Sequence, residues 1–185
     1  MKRSLLWAPV RETGLEHLHL SQRKNEIVAD GMVLFEAQGV PTRAHYTIRC
    51  QSNWLTRQVA IHTVGLTGAR QRLSSDGAGH WFRAGTPLAA LDGCLDVDIN
   101  VTPFTNTLPI RRLALKPGQS AEISVVYIAL PQLEIKPVKQ RYTCLDLTPE
   151  GGRYRYESLA SGFTAELRVD ADGLVIDYAG IWKRV

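Results

Sequence analysis

The sequence predicts an all-β fold built on a single antiparallel sheet of roughly a dozen strands. Most of the 185 residues alternate apolar and polar side chains with the period of two that is typical of half-buried strands. Glycine, proline and aspartate separate these segments at intervals typical of successive hairpins, and no long segment has a helical period. A flat sheet of that size would leave troublesome edges, so we expect it to curl or close. A barrel of about ten or more strands has internal space for a ligand, whereas a two-sheet sandwich would have the same alternation and no cavity.

Several segments of the first half alternate. In LEHLHL, Leu15, His17 and His19 share one parity, and exposed strand histidines explain this pattern better than a metal site does. A strand over Glu26 to Gln38 contains Asp-Gly at residues 30 and 31, which predicts a turn or a bulge. Residues 43–51 and 55–66 also alternate, residues 5–9 form a short apolar piece, and residues 70–73 are predicted as a short strand.

The second half contains the most apolar segment of the chain, Ala121 to Leu130. Its length and its β-branched residues favour a buried strand over a helix. Further predicted strands cover residues 139–147, 153–157, 163–170 and 174–182. Because no linker, repeat or composition shift divides the chain, we expect one domain over residues 1–185.

The stretch Leu91 to Leu115 concentrates the polar groups of the sequence. Its first half alternates strictly, with one polar face and one apolar face. The polar face consists of Cys94, Asp96, Asp98, Asn100 and Thr102. TPFTNTLP then reads as a compact connection that brings a returning strand, with Arg111 and Arg112, alongside as a hairpin. Since these two arginines point to opposite faces, only one of them can easily meet the aspartates.

Three interpretations of the two aspartates stay open. They form an ion-pair network that stabilises the hairpin, or they bind a polar head group, since carboxylates and amides bind hydroxyls and arginine binds phosphate. Alternatively, they are the carboxylates of a glycoside hydrolase, although such carboxylates flank a cleft rather than one strand. The DxDxN spacing is typical of a calcium loop, but Val101 and Thr107 stand where such a loop has glycine and glutamate.

Charge and composition exclude several functions. The net charge of +4 is spread along the chain without a basic run, which argues against nucleic acid as a partner. Three distant cysteines without CxxC predict free buried thiols rather than disulfides or zinc. No segment has the length and hydropathy of a signal-peptide core or a transmembrane span, so we expect a soluble, cytoplasmic protein. Motifs for a nucleotide, a metal or another cofactor are absent, and the oligomeric state is not determined by the sequence.

The central run GCLDVDINVTPFTNTLPIRRLAL resembles the signature of the putative glycolipid-binding family, once catalogued as a domain of unknown function. The likeness extends over nearly the whole chain, through Gly79-His80-Trp81, the VVYIALP and YRYES segments, and the C-terminal GFTAELRVDADGLVIDYAGIWKR. The resemblance implies an open or incomplete barrel around an apolar groove, similar to lipoprotein-carrier half-barrels. It also implies a lipid or glycolipid as the partner.

We therefore predict a protein that binds a lipid or glycolipid without catalysis. Acyl chains would lie in the groove, and the central stretch would bind the head group or stiffen the mouth. The alternatives are a hydrolase of glycoconjugates that uses Asp96 and Asp98, and an interaction scaffold without a ligand. The candidate ligand-binding residues are Asp96, Asp98, Asn100, Thr105, Asn106, Arg111, Arg112, Trp81, Tyr127, Tyr154 and Tyr156.

Overall fold

A computed structural model describes residues 2–64 and 68–185 as one 15-stranded sheet whose order follows the chain with one exception. The strands of the first half are β1 (Lys2–Pro9), β2 (Gly14–Arg23), β3 (Glu26–Ala37), β4 (Val40–Gln51), β5 (Thr56–Val64), β6 (Arg70–Ser75), β7 (Trp81–Arg83) and β8 (Thr86–Pro87). Those of the second half are β9 (Asp96–Ile99), β10 (Ser120–Ala129), β11 (Glu134–Thr148), β12 (Gly151–Ser158), β13 (Thr164–Asp170), β14 (Val175–Tyr178) and β15 (Trp182–Arg184). The predicted all-β class is confirmed, with more strands than a dozen.

The two halves of the sheet are joined by the first and last strands of the chain. β1 pairs antiparallel with β15, where Pro9 lies opposite Trp182 and Trp7 lies opposite Arg184. The sheet order therefore runs from β8 through β1 and β15 to β9, and the sheet has two edges and is not closed into a barrel. All neighbours are antiparallel except β9 and β10, which pair in parallel. That parallel pair departs from the purely antiparallel prediction, because the connection between the two strands is a crossover and not a hairpin.

Alternation along the strands creates one buried face. In β4 the buried side chains are those of Thr42, Ala44, Tyr46, Ile48 and Cys50, and their neighbours point outward. The predicted parity, with Val59 and Ile61 opposed to their neighbours, is confirmed over residues 58–64, whereas Thr56 is buried out of phase beside a register shift. Gly65 and Leu66, at the end of that prediction, lie outside the described residues. The strand predicted over residues 121–130 is confirmed as β10, and its predicted burial is confirmed in its second half, at Val125, Val126 and Ile128. All three cysteines are free and buried, as predicted.

The predicted interruption at Asp30-Gly31 was wrong, because β3 runs through it without a break. Gly31 lies directly opposite Tyr46 of β4. A Cβ atom at residue 31 would lie 2.2 Å from Cζ of Tyr46, so glycine is needed here to let the tyrosine ring approach the backbone. The local turn signal was overridden by packing across the sheet.

Candidate functional site

The segment between β9 and β10 is helical where a hairpin was expected. Phe104–Asn106 forms a 3-10 turn and Thr107–Leu113 forms the helix α1, which ends where Ala114 takes a left-handed conformation with φ of 47°. Pro109 lies in the first turn of α1, where a backbone N–H would have no partner within the helix. The prolines that suggested a polar connection are therefore compatible with a helix, and the predicted returning strand with its arginines was wrong.

We call residues 100–113 the central segment; it contacts the buried faces of both halves of the sheet. On one side, the Phe104 ring stacks on Tyr46 of β4, with 6.5 Å between centroids and 15° between planes. On the other side, the Tyr142 hydroxyl of β11 donates a hydrogen bond of 2.8 Å to Oδ1 of Asn106. The central segment thus crosses the space enclosed by the buried face of the sheet, and it forms part of the core.

Asp96 is a buried ion-pair partner and does not lie on a solvated face. Its side chain is 0% exposed, and that of Arg112 is 14% exposed. Nε of Arg112 donates to Oδ1 and Oδ2 of Asp96 at 3.0 and 3.1 Å, and an Nη atom donates to Oδ2 at 2.6 Å. Burial raises the pKa of Asp96, and the hydrogen bonds and charge of Arg112 oppose that effect. Only one arginine meets the aspartate, as predicted; the Arg111 guanidinium lies 5.3 Å from the ring centroid of Trp54.

Within the described part of the chain, the hydrogen-bond partners of Asp98 are neutral. The Thr105 hydroxyl donates to its Oδ1 at 3.2 Å, and Nε2 of Gln140 donates to its Oδ2 at 2.6 Å. Among the described residues, no cationic nitrogen lies within 4.0 Å of this carboxylate. Burial raises the pKa of Asp98, and the hydrogen bonds from Gln140 and Thr105 oppose the rise. The two aspartates therefore differ: one is neutralised by arginine, and the other has no counter-ion.

Asp98 lines a small cavity of about 160 Å³ that we call the aromatic cavity. Its other lining residues are Ile99, Asn100, Thr102, Asn106, Tyr127, Tyr156, Phe163, Tyr178, Ile181 and Trp182. Asn100 also fixes the turn beside it, because its Oδ1 accepts from N–H of Leu130 at 2.9 Å and its Nδ2 donates to the carbonyl of the same residue at 3.3 Å.

Two larger cavities lie near the aromatic cavity, and only the first of them shares lining residues with it. The first, which we call the polar cavity, has about 480 Å³ and shares Asn100, Ile181 and Trp182 with the aromatic cavity. Its remaining lining residues are Pro9, Arg11, Glu12, Thr13, Phe35, Glu36, Ala37, Gln38, Val101, Leu130, Pro131, Gln132 and Gly180.

The second, which we call the apolar groove, has about 530 Å³ and shares Thr13, Phe35 and Glu36 with the polar cavity. Its remaining lining residues are Gly14, Leu34, Pro41, Thr42, Arg43 and Val64. The linings of all three cavities come from strand ends and turns at the same end of the sheet, which we call the open end.

A buried carboxylic acid, which the sequence interpretation missed, lies beside these cavities. Glu16 of β2 is 0% exposed, and its Oε1 accepts hydrogen bonds from the hydroxyls of Tyr46 at 2.5 Å and Thr102 at 2.7 Å. Its Oε2 has no partner among the described residues. Desolvation raises the pKa of Glu16 to about 8. The signal was its parity, since Glu16 alternates in phase with the buried Leu18 and Leu20.

The structure brings five of the eleven predicted site residues into one cavity: Asp98, Asn100, Asn106, Tyr127 and Tyr156. Thr105 supports Asp98 from behind, and Arg112 is occupied by Asp96.

The other predicted residues lie elsewhere. Trp81 is fully buried and donates from Nε1 to the Cys94 carbonyl at 2.8 Å. Neither Tyr154 nor Arg111 lines any of the three cavities. Tyr178 carries no local sequence signal that marks it as a cavity residue, because its position follows from how β14 pairs with its neighbours.

Within residues 2–64 and 68–185, no three histidine, cysteine, aspartate or glutamate side chains are arranged to hold a metal ion. Of the helices described, none has the length and hydropathy that a membrane span requires.

Comparisons with known proteins agree over nearly the whole chain. A family model described as "Putative glycolipid-binding" matches residues 4–184. The chain is similar to a solved structure, the crystal structure of a DUF1089 family protein from Pseudomonas aeruginosa, with 41% sequence identity and a TM-score of 0.82. That likeness covers 93% of this chain and 92% of the other. A search of curated proteins gave no significant match.

Proposed function

Because this chain belongs to the family described as "Putative glycolipid-binding", we propose that it binds a glycolipid without catalysis, at the open end of its sheet. The observation that carries this proposal is that the aromatic cavity, the polar cavity and the apolar groove are neighbours, which share lining residues in that order. An amphiphile has the matching order of groups, from polar head to apolar chain. The two larger cavities are in the size range of small-molecule sites.

The polar cavity supplies the groups that bind a sugar. Glu12 can accept hydrogen bonds from hydroxyls, and the amides of Asn100 and Gln132 can both donate and accept them. Trp182 lies in the same lining and offers an indole ring for stacking against the apolar face of a sugar. We therefore assign the carbohydrate head to this cavity.

The apolar groove supplies the surface for an acyl or alkyl chain. Leu34 and Val64 are 50% and 42% exposed, and Phe35 connects them to the polar cavity. Each methylene group of a ligand that is removed from water on this surface contributes about 0.8 kcal/mol. Because the groove is exposed, the end of a longer acyl chain would extend beyond it, into solvent or into another apolar environment.

The arrangement of the two aspartates does not favour a hydrolase. A glycosidase needs two carboxyl groups on opposite sides of a shared cleft. Asp98 lines the aromatic cavity, whereas both oxygens of Asp96 are bound by Arg112 and its side chain is fully buried. Binding therefore uses the observed geometry better than hydrolysis does.

The test is a titration with octyl β-glucoside below its micelle concentration, followed by calorimetry. The wild-type protein is expected to bind, and Ala37→Phe, which fills the polar cavity, is expected to weaken binding at least tenfold. Ala60→Phe, on the outer face of β5, is the matched control and should bind as the wild type does. The proposal is wrong if the wild type binds neither this probe nor a short-chain diacyl glycolipid, or if both variants weaken binding equally.

A further inference from the structure

The aromatic cavity has properties that neither a sugar nor an acyl chain requires. With about 160 Å³ it resembles in size an engineered cavity of about 150 Å³ that holds one benzene molecule. It therefore has room for one small group of a ligand and not for a whole sugar. What distinguishes it chemically is that five aromatic residues and one carboxylate share its lining: Tyr127, Tyr156, Phe163, Tyr178, Trp182 and Asp98.

The aromatic rings are arranged around Tyr156. Its centroid lies 6.1 Å from those of Tyr178 and Phe163, with interplanar angles of 74° and 52°. Tyr142, behind it, lies 5.4 Å away at 65°. Rings at steep angles to one another present walls in several directions. Since the face of an aromatic ring is negative, such walls attract a cation and repel an anion.

The carboxylate adds a formal charge of the same sign. Asp98 is held by two neutral donors, Thr105 and Gln140, and has no cationic partner within 4.0 Å among the described residues. Asp96, two residues earlier on the same strand, has a bidentate arginine. A partly buried carboxylate without a counter-ion carries a desolvation cost, which protonation or a cation beside it removes.

We propose that the aromatic cavity binds one organic ammonium group, carried by the head of the amphiphile that occupies the polar cavity. The inference rests on the proposed function, because the two cavities share Asn100, Ile181 and Trp182. The aromatic walls would surround the cation, and Asp98 would be its counter-ion. Either a quaternary ammonium group or the primary ammonium group of an amino sugar has this chemistry.

Among the described residues, the ammonium group of Lys136 contacts an aromatic residue of the cavity. Nζ of Lys136 lies 5.9 Å from the ring centroid of Tyr127, its partner across β10 and β11. Lys136 is exposed and is not among the lining residues of the cavity. It therefore leaves the space next to Asp98 open to a ligand.

The first experiment compares charged probes with neutral probes of the same shape by calorimetry on the wild-type protein. Choline is matched by 3,3-dimethyl-1-butanol, in which carbon replaces the quaternary nitrogen, and glucosamine is matched by glucose. At least one charged probe is expected to bind about tenfold tighter than its neutral match. Tighter binding of choline would indicate a quaternary head group, and tighter binding of glucosamine would indicate an amino sugar. Equal binding within both pairs would overturn the inference.

The second experiment separates this inference from the proposed function. Asp98→Asn should remove most of the preference for the charged probe over its neutral match. If octyl glucoside binds and neither charged probe shows a preference, the ammonium inference fails and the proposed function stands. If octyl glucoside and the short-chain diacyl glycolipid fail to bind the wild type, the proposed function fails.

The pH dependence gives a third readout that requires no variant. Burial raises the pKa of Asp98, so a cation that pairs with it should bind more tightly as the pH rises and release a proton on binding. The titratable or charged groups around Asp98 are Tyr127, Tyr142, Tyr156 and Tyr178, with the Asp96–Arg112 pair and Lys136 beyond them. Burial raises the pKa of all four tyrosines, so they stay protonated as the pH rises from acid to neutral. Glu16, which accepts a hydrogen bond from the cavity residue Thr102, has a pKa of about 8, so affinities are compared below pH 7, where Glu16 keeps its proton. Tighter binding at lower pH would contradict the inference.

Discussion

The guanidinium of Arg112 donates three hydrogen bonds to the carboxylate of Asp96 and thereby fixes helix α1 to the edge strand β9. The pair spans only 16 positions of the sequence, yet it lies in the interior, where Asp96 is fully buried. Fork-shaped pairing of this kind fixes the orientation of both side chains as well as their distance. The central segment, which contributes to two of the three cavities, is held in place in part by this contact.

Removing one member of this pair should destabilise the protein strongly. Arg112→Ala leaves a buried carboxylate without its cation, and the expected cost is about 3–5 kcal/mol of the free energy of unfolding. Urea denaturation measures it. Arg111→Ala is the matched control, because Arg111 is exposed and contacts Trp54 only through a cation–π interaction worth about 1 kcal/mol. Replacing both members, as Asp96→Leu with Arg112→Leu, should cost less than Arg112→Ala alone; a larger cost would contradict this account.

Glu16 should make stability fall as the pH rises. Its pKa is about 8 in the folded protein, whereas an unperturbed glutamate has a pKa of 4.5, so between these values the folded state holds a proton that the unfolded state has lost. Its contribution to the free energy of unfolding therefore decreases by about 1.4 kcal/mol per pH unit over this window and is constant outside it. Glu16→Gln resembles the neutral acid and keeps an acceptor for Tyr46 and Thr102. The difference in stability between variant and wild type, measured from pH 5 to pH 8, should grow in favour of the variant.

A flat difference over that range would show that Glu16 is ionised in the folded protein. Glu12→Gln is the control for a carboxylate at the surface, because Glu12 is exposed in the loop between β1 and β2.

Gly31→Ala should destabilise the protein although Asp30-Gly31 has the sequence of a turn. The added methyl group would lie 2.2 Å from Cζ of Tyr46, and overpacking of this kind costs about 1–3 kcal/mol or more. Thermal unfolding measures the effect. Met32→Ala, at an exposed position of the same strand, should stay within about 0.5 kcal/mol of the wild type. An unchanged melting temperature in Gly31→Ala would mean that the tyrosine ring moves at no cost.

The three thiols should resist modification in the folded protein. Cys50, Cys94 and Cys144 are buried, and desolvation raises the pKa of Cys50 to about 12 and that of Cys94 to about 11. Because the thiolate is the reactive form, Ellman's reagent at pH 8 should not react with the native protein and should react with three thiols after denaturation. Rapid reaction of one thiol in the native state would identify a residue that is more accessible than the structure indicates.

The amphipathic strands could be predicted from the sequence because their signal is local. Alternation over residues 43–51 or 163–170 requires only that neighbouring side chains point to opposite faces, which holds for any strand. The same reasoning failed at residues 103–113. There the prolines and hydroxyls of TPFTNTLP are compatible with a turn as well as with the start of a helix. The segment is helical in the structure, where it is buried between the two halves of the sheet.

The part of the candidate site that was predicted from the sequence also depends on local alternation along a strand. Asp98 and Asn100 share one parity and one strand end, so the sequence placed them together and the structure puts both in the aromatic cavity. Tyr178 and Trp182 reach that cavity because β15 pairs with β1 and β14 pairs with β15.

The sequence by itself determined the strand class, the free thiols and the polar character of the central stretch, because each depends on residue type and on spacing along a few neighbours. Only the tertiary structure decided that Asp96 is neutralised while Asp98 is not, that Glu16 meets Thr102 across 86 positions, and that the first and last strands pair. These relationships join distant parts of the chain, and no local periodicity encodes them. They arise when burial of one face of the sheet brings the polar groups that share it within hydrogen-bonding distance.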